Sequence, residues 1–241
     1  MKRNILTLII AVFALTQAAA QTYDNLWKQA DIIARKDQPR SEIGVMKKII
    51  SKASAAKDYG QLMAAEMRQM ILWKEISADS LTPNVERMEA EVLKVKDPAL
   101  KAVRYAVLGK VYSDMDEKKS EEFFKKALQQ PELLAKHTST EYVPLTLKGV
   151  DGSSFNNDLL HLIGFEADSK EAYHLMYTYY NKVGNRGAAC LCAYKLIEKY
   201  RQDDVREVKK SKYLHTIDSL IHVYQDIPEA GELAVEHFRF M

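Results

Sequence analysis

Residues 105–131 impose the tightest limit on the fold, because large, small and aromatic side chains recur there at helical spacing on both sides of a short polar turn. The residues are Tyr105, Leu108, Gly109, Tyr112, Ser120, Phe124, Ala127 and Pro131. Leu108 and Tyr112 lie about one helical turn apart and therefore share a face. Since glycine has no side chain, Gly109 should let a second helix approach until Phe124 packs against the first. The pattern predicts a hairpin of two antiparallel helices.

This arrangement resembles the tetratricopeptide unit, a helical hairpin of about 34 residues. It differs from the consensus in that the turn is shorter by a single residue and Ser120 stands where alanine is usual. A later stretch resembles the unit more loosely. There Tyr180, Gly184 and Ala189 fit the pattern, whereas Ala193 stands where an aromatic residue is usual. Both stretches favour a fold built from helical hairpins.

Helix starts recur along the chain at a nearly regular distance. The first helices of successive pairs are predicted to begin near Tyr23, Asp58, Asp97, Ser169 and Asp204, which lie 35, 39, 72 and 35 residues apart. The longest gap equals two units, of which an irregular insert occupies one. Such spacing is typical of repeat proteins, in which each helical pair packs on its neighbours. The expected fold is an all-α, tetratricopeptide-like helical-hairpin solenoid with one short extended/β insert.

Capping residues and prolines support these starts. The pairs are Asp37 with Pro39, Asp58 with Gln61, Thr82 with Pro83 and Asp97 with Pro98, and Ser169 opens a further helix. A short polar side chain accepts a hydrogen bond from the first backbone N–H groups of a helix, and proline suits the first helical position. The sequence therefore predicts helix boundaries at these residues.

The helical rhythm is interrupted between Pro131 and Asp168. Residues 141–149 alternate in an extended manner, and Asp151-Gly152-Ser153-Ser154 has turn composition. This segment predicts either one or two short strands, which Pro144 would confine to a sheet edge, or an ordered loop. A brief helix is expected from about Asp158 to Glu166.

The first twenty residues have the composition of an export signal. Lys2 and Arg3 precede an apolar run from Ile5 to Leu15, and small residues at 18–20 offer a cleavage site before Gln21. An uncleaved anchor is the less favoured alternative, because a helix needs about 20 apolar residues to span a bilayer. The expected organisation is a signal peptide at 1–20, helical repeats at 21–131, an irregular insert at 132–168 and helical repeats at 169–241. The expected location is the periplasm or cell envelope.

Charge composition argues against two classes of partner. Without residues 1–20 the chain carries 33 Lys and Arg residues and 33 Asp and Glu residues. A nucleic-acid-binding protein should show a basic face, and the mixed charges here are typical of a solvated surface. We therefore expect no nucleic acid and, after signal cleavage, no membrane as partner, and we expect a protein or peptide partner instead. The sequence does not determine the oligomeric state.

The spacing of the cysteines and histidines gives little indication of a disulfide, a metal site or a catalytic site. Cys190 and Cys192 lie two apart on a predicted helix, so they should not bond to each other and are either buried thiols or include one exposed for a partner. His215, Asp218 and His222 share one side of a predicted helix and could bind zinc, but an exposed polar flank beside an apolar stripe is the simpler interpretation. No catalytic motif, cofactor motif or metal site is predicted, and we expect no enzyme.

Three tyrosines are the best candidate binding residues. Tyr173, Tyr177 and Tyr180 lie on one predicted helix, and tyrosine combines apolar area with a polar tip. They are possible peptide-binding residues on the concave face of a solenoid. The alternative is that they pack between helices.

The order of several short motifs resembles a known family. These motifs are Tyr23-Asp24-x-Leu26-Trp27-Lys28, Asp37-x-Pro39, Tyr142-Val143-Pro144 and Asp158-Leu159-Leu160-His161-Leu162. They are similar to the helical N-terminal region of bacterial alpha-2-macroglobulin-like proteins. That family traps or inhibits proteases with macroglobulin β-sandwich domains, a bait segment and often a thioester.

The resemblance implies that these residues form only the helical leader of a protease inhibitor. Cys190-Leu191-Cys192-Ala193 is not a thioester motif, and no β-sandwich pattern follows. The apolar last residues, Phe238-Arg239-Phe240-Met241, favour the same expectation of a fragment. The alternative is a free-standing cell-envelope adaptor that binds a peptide segment.

Overall fold

The computed structural model describes residues 23–77, 79, 81–147, 149–203 and 207–240, and these residues are helical almost throughout. The predicted signal peptide lies outside them. The α-helices are α1 (23–34), α2 (Pro39–Ala56), α3 (Tyr59–Ile76), α4 (Leu81–Lys94), α5 (Pro98–Tyr112), α6 (Glu117–Ala127), α7 (Pro131–Leu134), α8 (Leu159–Ala167), α9 (Lys170–Lys182), α10 (Arg186–Asp203), α11 (Glu207–Tyr224) and α12 (Ala230–Phe240). The all-α prediction is confirmed.

The chain divides into two compact units. The first contains the described residues up to Ala90 together with Tyr142–Leu145, and the second contains Glu91–Glu141 and the described residues from Thr146 onward. The division after Ala90 falls within α4. The segment boundaries expected at residues 131 and 168 stay a prediction.

The core of the first unit lies between α1, α2 and α3. Its buried apolar residues include Tyr23, Ala30, Ile43, Met46, Ile49, Ala53, Leu62, Ala65 and Leu72. Asp58 caps α3, since its Oδ1 accepts a hydrogen bond from the Gln61 N–H at 3.2 Å, as predicted. Arg68 on α3 joins the three helices through Asp31, at 2.8 Å, and the buried Glu42, at 2.5 Å. The helices are thus held by apolar packing and by one shared cation.

A short extension of the chain also belongs to the first unit. Residues Tyr142–Leu145 pack at the start of α3, where a Cβ added to Gly60 would collide with the Val143 carbonyl oxygen and lie 2.6 Å from the Tyr142 carbonyl carbon. Only glycine therefore fits at position 60.

The second unit contains both predicted hairpins. In the first, α5 and α6 pack where a Cβ on Gly109 would lie 2.8 Å from the Phe124 ring, so the close approach predicted for this glycine is confirmed. Ser120 is buried, and its hydroxyl donates to the Gly109 carbonyl oxygen at 2.8 Å. That hydrogen bond accounts for serine in place of the usual alanine.

The second hairpin consists of α9 and α10. Gly184 in its turn has φ +77°, a conformation that glycine adopts without strain. Ser169 caps α9 through the Ala172 N–H at 3.1 Å, and Asn185 caps α10 through the Ala188 N–H at 3.2 Å. The turn and the helix starts are thus encoded locally.

The insert forms an ordered loop rather than strands. Its described residues contain a 3-10 helix (Ser139–Tyr142) and turns, and the only sheet-like pairing there is a single antiparallel bridge between Thr138 and Asp158. The predicted strands are therefore not formed, because residues 139–145 adopt a 3-10 helix and turns and polar groups bond within the loop, as the Thr146 hydroxyl does to the Ser139 carbonyl oxygen. The expected helix after Asp158 is present as α8, capped by the Asp158 carboxylate.

Some predicted boundaries shift slightly. Gln38, not Asp37, precedes α2, and Pro39 is its first residue as expected. Leu81 begins α4, which places Thr82 and Pro83 in the first turn. The helix expected after Asp204 corresponds to α11 (Glu207–Tyr224), and Asp204 itself lies outside the described residues. None of the described helices is both long and apolar enough to cross a membrane.

Candidate peptide-binding groove

The three candidate tyrosines of α9 have two different environments. Tyr173 and Tyr180 are buried, and their hydroxyls donate to Asp168 at 2.7 Å and to Asp158 at 2.8 Å. Tyr177 is half-buried and lines a surface groove. Only Tyr177 of the three can therefore meet a ligand in this conformation, whereas the other two pack between helices. Whether any of them binds a peptide stays a prediction.

The groove lies between α9, α10 and α11, within the second unit, and has a volume of about 510 Å³. Its lining residues are Tyr177, Ala193, Leu196, Ile197, Tyr200, Lys212, Tyr213, Thr216 and Leu220. Ligand sites typically measure about 300–1,000 Å³ and are mostly apolar with few polar groups. The groove has the size and the composition of such a site.

Helical spacing explains how the two longer sides of the groove form. On α10 the lining residues follow the spacing i, i+3, i+4 and i+7, from Ala193 to Tyr200, and on α11 they run from Lys212 to Leu220. Residues at this spacing form one stripe along a helix. Ala193 and Ile197 are buried at the floor, whereas Tyr200 is 39% exposed. A groove about two helical turns long therefore runs along α10 and α11.

Aromatic residues form one end of the groove. The Tyr200 and Tyr213 rings stack with their centroids 6.0 Å apart and their planes at 28°. The Lys170 Nζ lies 4.7 Å from the centroid of the Tyr200 ring, within cation–π range. Tyrosine offers a flat apolar surface at low conformational cost, which makes it a frequent contact residue in binding sites.

The groove carries one charged group among its described lining residues, the exposed Lys212. The Thr216 hydroxyl donates to the Lys212 carbonyl oxygen at 2.9 Å, so it is already used within α11. The site thus presents apolar and aromatic area beside a single positive charge.

Sequence reasoning identified Tyr177 and missed the rest of the groove. Tyr213 and Lys212 lie on α11, which the sequence does not place beside α9. Tyr200 lies on α10, the predicted hairpin partner of α9, but the sequence pattern does not show that it is accessible. The available signal was the stripe from Ala193 to Tyr200, which combines small, aliphatic and aromatic residues. A stripe of this kind has the same appearance in a fully buried helix, so only the packing of α11 identifies it as a groove.

A second polar feature lies beneath the surface, around the start of α8. Asp158 is buried and accepts hydrogen bonds from the Tyr180 hydroxyl at 2.8 and 2.9 Å and from the His161 N–H at 2.8 Å. Burial raises the pKa of Asp158 to about 6, although these hydrogen bonds oppose the rise. Asp158 therefore joins the start of α8 to the last turn of α9.

His161 lies fully buried beside this carboxylate. Its ring stacks on Phe155 with the centroids 4.0 Å apart, and neither ring nitrogen makes a hydrogen bond of ordinary geometry to any described residue. Burial lowers the pKa of His161 to about 4, and the backbone of Val150 only partly offsets this effect. A neutral histidine serves here as an aromatic packing residue, and no solvent-exposed atom gives it access to a substrate.

The other sequence candidates lie apart from the groove. His215, Asp218 and His222 are exposed on α11, and Asp218 pairs with His237 at 3.1 Å. In the part of the chain that the structure describes, no three His, Cys, Asp or Glu side chains are placed to hold a metal ion together. Cys190 and Cys192 are both buried and unbonded, and burial raises the pKa of Cys190 to about 12. The interpretation as buried thiols is confirmed.

The fold and the groove define a class, an all-α protein of helical hairpins with a solvent-accessible aromatic groove. Comparison with protein-family models, with curated proteins and with solved structures gives no match. The resemblance to alpha-2-macroglobulin-like proteins therefore stays a prediction based on short motifs.

Proposed function

We propose that this protein is a protein-interaction module that binds a peptide segment in the groove between α9, α10 and α11. The observation that carries the proposal is the lining itself, in which Tyr177, Tyr200 and Tyr213 converge from three helices on a space of about 510 Å³. Surface grooves of this composition are typical of recognition sites. The described residues around the groove include no set of acid, base and nucleophile that would favour catalysis.

The hairpins are proposed to be units of a tetratricopeptide-like solenoid. Two features support this. Each unit-like hairpin closes on a glycine, Gly109 in α5 or Gly184 in the turn before α10, and the groove is lined by two successive first helices, α9 and α11, with α10 beneath them. Stacked hairpins bury a continuous core and present the same side of each unit to a ligand.

The cellular setting is proposed to be the periplasm or cell envelope. Lys2, Arg3 and the apolar run that follows support export, and the resemblance of short motifs to those of alpha-2-macroglobulin-like proteins supports a role as the helical N-terminal part of a protease trap. The alternative is a free-standing envelope adaptor. Expression with the native leader should yield a mature protein that begins at Gln21, by mass spectrometry. Continuation of the reading frame into β-rich sequence after Met241 would distinguish the trap from the adaptor.

Site-specific photo-crosslinking tests the groove. A benzoylphenylalanine residue is placed at Thr216, inside the groove, or at Thr178, an exposed threonine of α9 outside its lining. The two sites are matched, because each hydroxyl donates to the carbonyl four residues earlier, at 2.9 and 2.8 Å. The proposal expects a discrete crosslinked partner from position 216 alone in envelope extract. Equal crosslinking from both positions, or none from either, would contradict it.

A further inference from the structure

We infer that the occupant of the groove is an amphipathic helix with an acidic residue beside its apolar stripe. This inference rests on the proposed function and adds the conformation and the charge of the bound segment. It follows from three properties of the site: its length, the state of the backbone around it, and the sign of the charge on Lys212, the charged group among its described lining residues.

The length of the groove matches two turns of helix. Ala193 and Tyr200, at either end of the α10 stripe, are seven residues apart, which corresponds to about 10 Å along the helix axis. An amphipathic helix presents anchors at i, i+3, i+4 and i+7 over the same distance. Its stripe would therefore lie along α10 and α11, with the buried Ala193 and Ile197 beneath it.

The backbone of the groove favours a helix over an extended peptide. The described lining residues belong to α9, α10 or α11, whose interior N–H and C=O groups are bonded within each helix. An extended peptide would find no strand edge to pair with, so its own backbone groups would lose water without gaining partners. A helical peptide satisfies its backbone internally and needs only side-chain contacts. The groove therefore favours a helical peptide over an extended one.

The charge around the groove favours an acidic residue on the occupant. Lys212 is exposed at the rim, and no carboxylate among the described residues pairs with it. Two carboxylates on neighbouring elements, Glu198 and Asp168, already have cations, since Lys195 bonds Glu198 at 2.8 Å and Lys199 bonds Asp168 at 2.6 Å. Among the described lining residues, an incoming carboxylate would therefore meet the Lys212 ammonium and no acidic side chain.

A displayed library of alanine-rich helical 16-residue peptides tests these points. The library is randomised at four stripe positions and at two flanking positions, and is selected against the wild-type protein and four variants. Thr216→Trp fills the groove, and Thr178→Trp is its control. Lys212→Glu reverses the charge, and Lys125→Glu, at an exposed lysine of α6, is its control. Circular dichroism of each variant verifies that it is folded.

The inference expects enriched peptides with apolar residues on the stripe and Asp or Glu beside it. By fluorescence anisotropy, Thr216→Trp should weaken binding at least about tenfold, and a central proline in the peptide should do the same because it breaks the helix. Lys212→Glu should weaken acidic peptides by about two- to fivefold, as expected for an exposed ion pair, and should favour Lys-bearing ones. Both control variants should bind as the wild type does.

The outcomes separate the inference from the proposed function. If peptides bind, depend on the groove and tolerate proline, or show no preference for acid, the inference is wrong while the peptide-binding function stands. If no peptide is enriched above the Thr216→Trp background, both are wrong. Because Lys212 is exposed, Lys212→Glu retains its fold and tests the charge even if Thr216→Trp loses helicity.

Discussion

The α5–α6 hairpin and the segment from the insert to α9 both bury polar groups among packed helices, but different contacts hold these groups. The hairpin closes on a glycine–aromatic contact, Gly109 against Phe124, and its buried Ser120 hydroxyl has a carbonyl partner in the same hairpin. Around α8 the contacts are polar and long-range. The Asp158 side chain accepts a hydrogen bond from the Tyr180 hydroxyl of the next helix, and the His161 ring is buried without an ordinary hydrogen bond. The first region is self-contained, whereas the second depends on several elements meeting correctly.

This difference shows where buried polarity is stable. Ser120 sits eleven residues from its partner, so one turn brings the two together. Asp158 and Tyr180 are 22 residues apart, so their hydrogen bond breaks if α8 and α9 move relative to each other. Each side chain then lacks that partner. A buried polar group without a partner costs about 1–3 kcal/mol. The α8 region should therefore be the more sensitive to single polar substitutions, and the hairpin to changes of volume.

The largest effect is expected from Phe124→Ala. The substitution removes the ring that packs on Gly109 and leaves a cavity in the hairpin, so the free energy of unfolding should fall by about 3–5 kcal/mol in urea titration. Phe238→Ala is the control, because Phe238 is 74% exposed and its loss should change stability by less than about 0.5 kcal/mol. Equal effects of the two substitutions would contradict the packing described for α5 and α6.

Asp158→Ala should follow, with a loss of about 2–4 kcal/mol. It removes both the cap of α8 and the acceptor for the buried Tyr180 hydroxyl. In a Tyr180→Phe background there is no Tyr180 hydroxyl to lose its acceptor, so Asp158→Ala should cost only about 0.5–2 kcal/mol there. A double-mutant cycle by chemical denaturation measures this coupling. Additive losses would show that the Asp158–Tyr180 hydrogen bond contributes nothing.

The pH dependence of stability should separate Asp158 from His161. The folded pKa of Asp158, about 6, lies above the ordinary value of 3.8, so its contribution to stability is present at low pH and is lost as pH rises through about 6. The folded pKa of His161, about 4, lies below 6.5, so its contribution is present above pH 6.5 and is lost as pH falls toward about 4. In the wild type the two trends oppose each other between pH 4 and 6.

Single substitutions should expose each trend. Relative to the wild type, His161→Leu should become more stable by about 2 kcal/mol as pH falls from 6.5 to 4, and Asp158→Asn should become less stable by a similar amount. Urea midpoints across this range provide the measurement. If the pH profiles of both variants ran parallel to that of the wild type, burial would not shift the pKa of either Asp158 or His161.

The smallest effect is expected from Ser120→Ala, with a loss of about 0.5–1 kcal/mol. The substitution removes the hydroxyl that donates to the Gly109 carbonyl oxygen, but that oxygen still accepts a hydrogen bond from the Ser113 N–H at 3.1 Å. Ser113→Ala is the matched control, since the exposed Ser113 hydroxyl also donates to a carbonyl of α5, that of Lys110. If Ser120→Ala were stabilising, the departure from alanine at this position would have no role in the hairpin.

Local signals were sufficient for most of the helices. Asp58, Asp97, Asp158 and Ser169 were all expected at helix starts, and each side chain accepts a backbone hydrogen bond there. The insert was left as strands or a loop, because a single extended segment has the same pattern in both. Its outcome depended on whether a second strand lay nearby, which no local pattern encodes.

The candidate site was predictable only in part. Tyr177 was identified with Tyr173 and Tyr180 because all three lie on one helix, yet helical periodicity alone does not tell which side faces solvent. The structure buries two of them against Asp168 and Asp158, and it adds Tyr200 and Tyr213 from other helices.

The sequence by itself determined the helical class, the capping residues and the glycine at the α5–α6 contact, because these depend on near neighbours in the chain or on the two helices of a single hairpin. Only the tertiary structure decided the groove and the pairing of Asp158 with Tyr180. Both depend on separate helices packing together, and the free energy that brings them together is apolar burial, which is not directional. Many arrangements would bury the same residues, and the groove exists in the one where α11 lies beside α10 and leaves Tyr177 accessible.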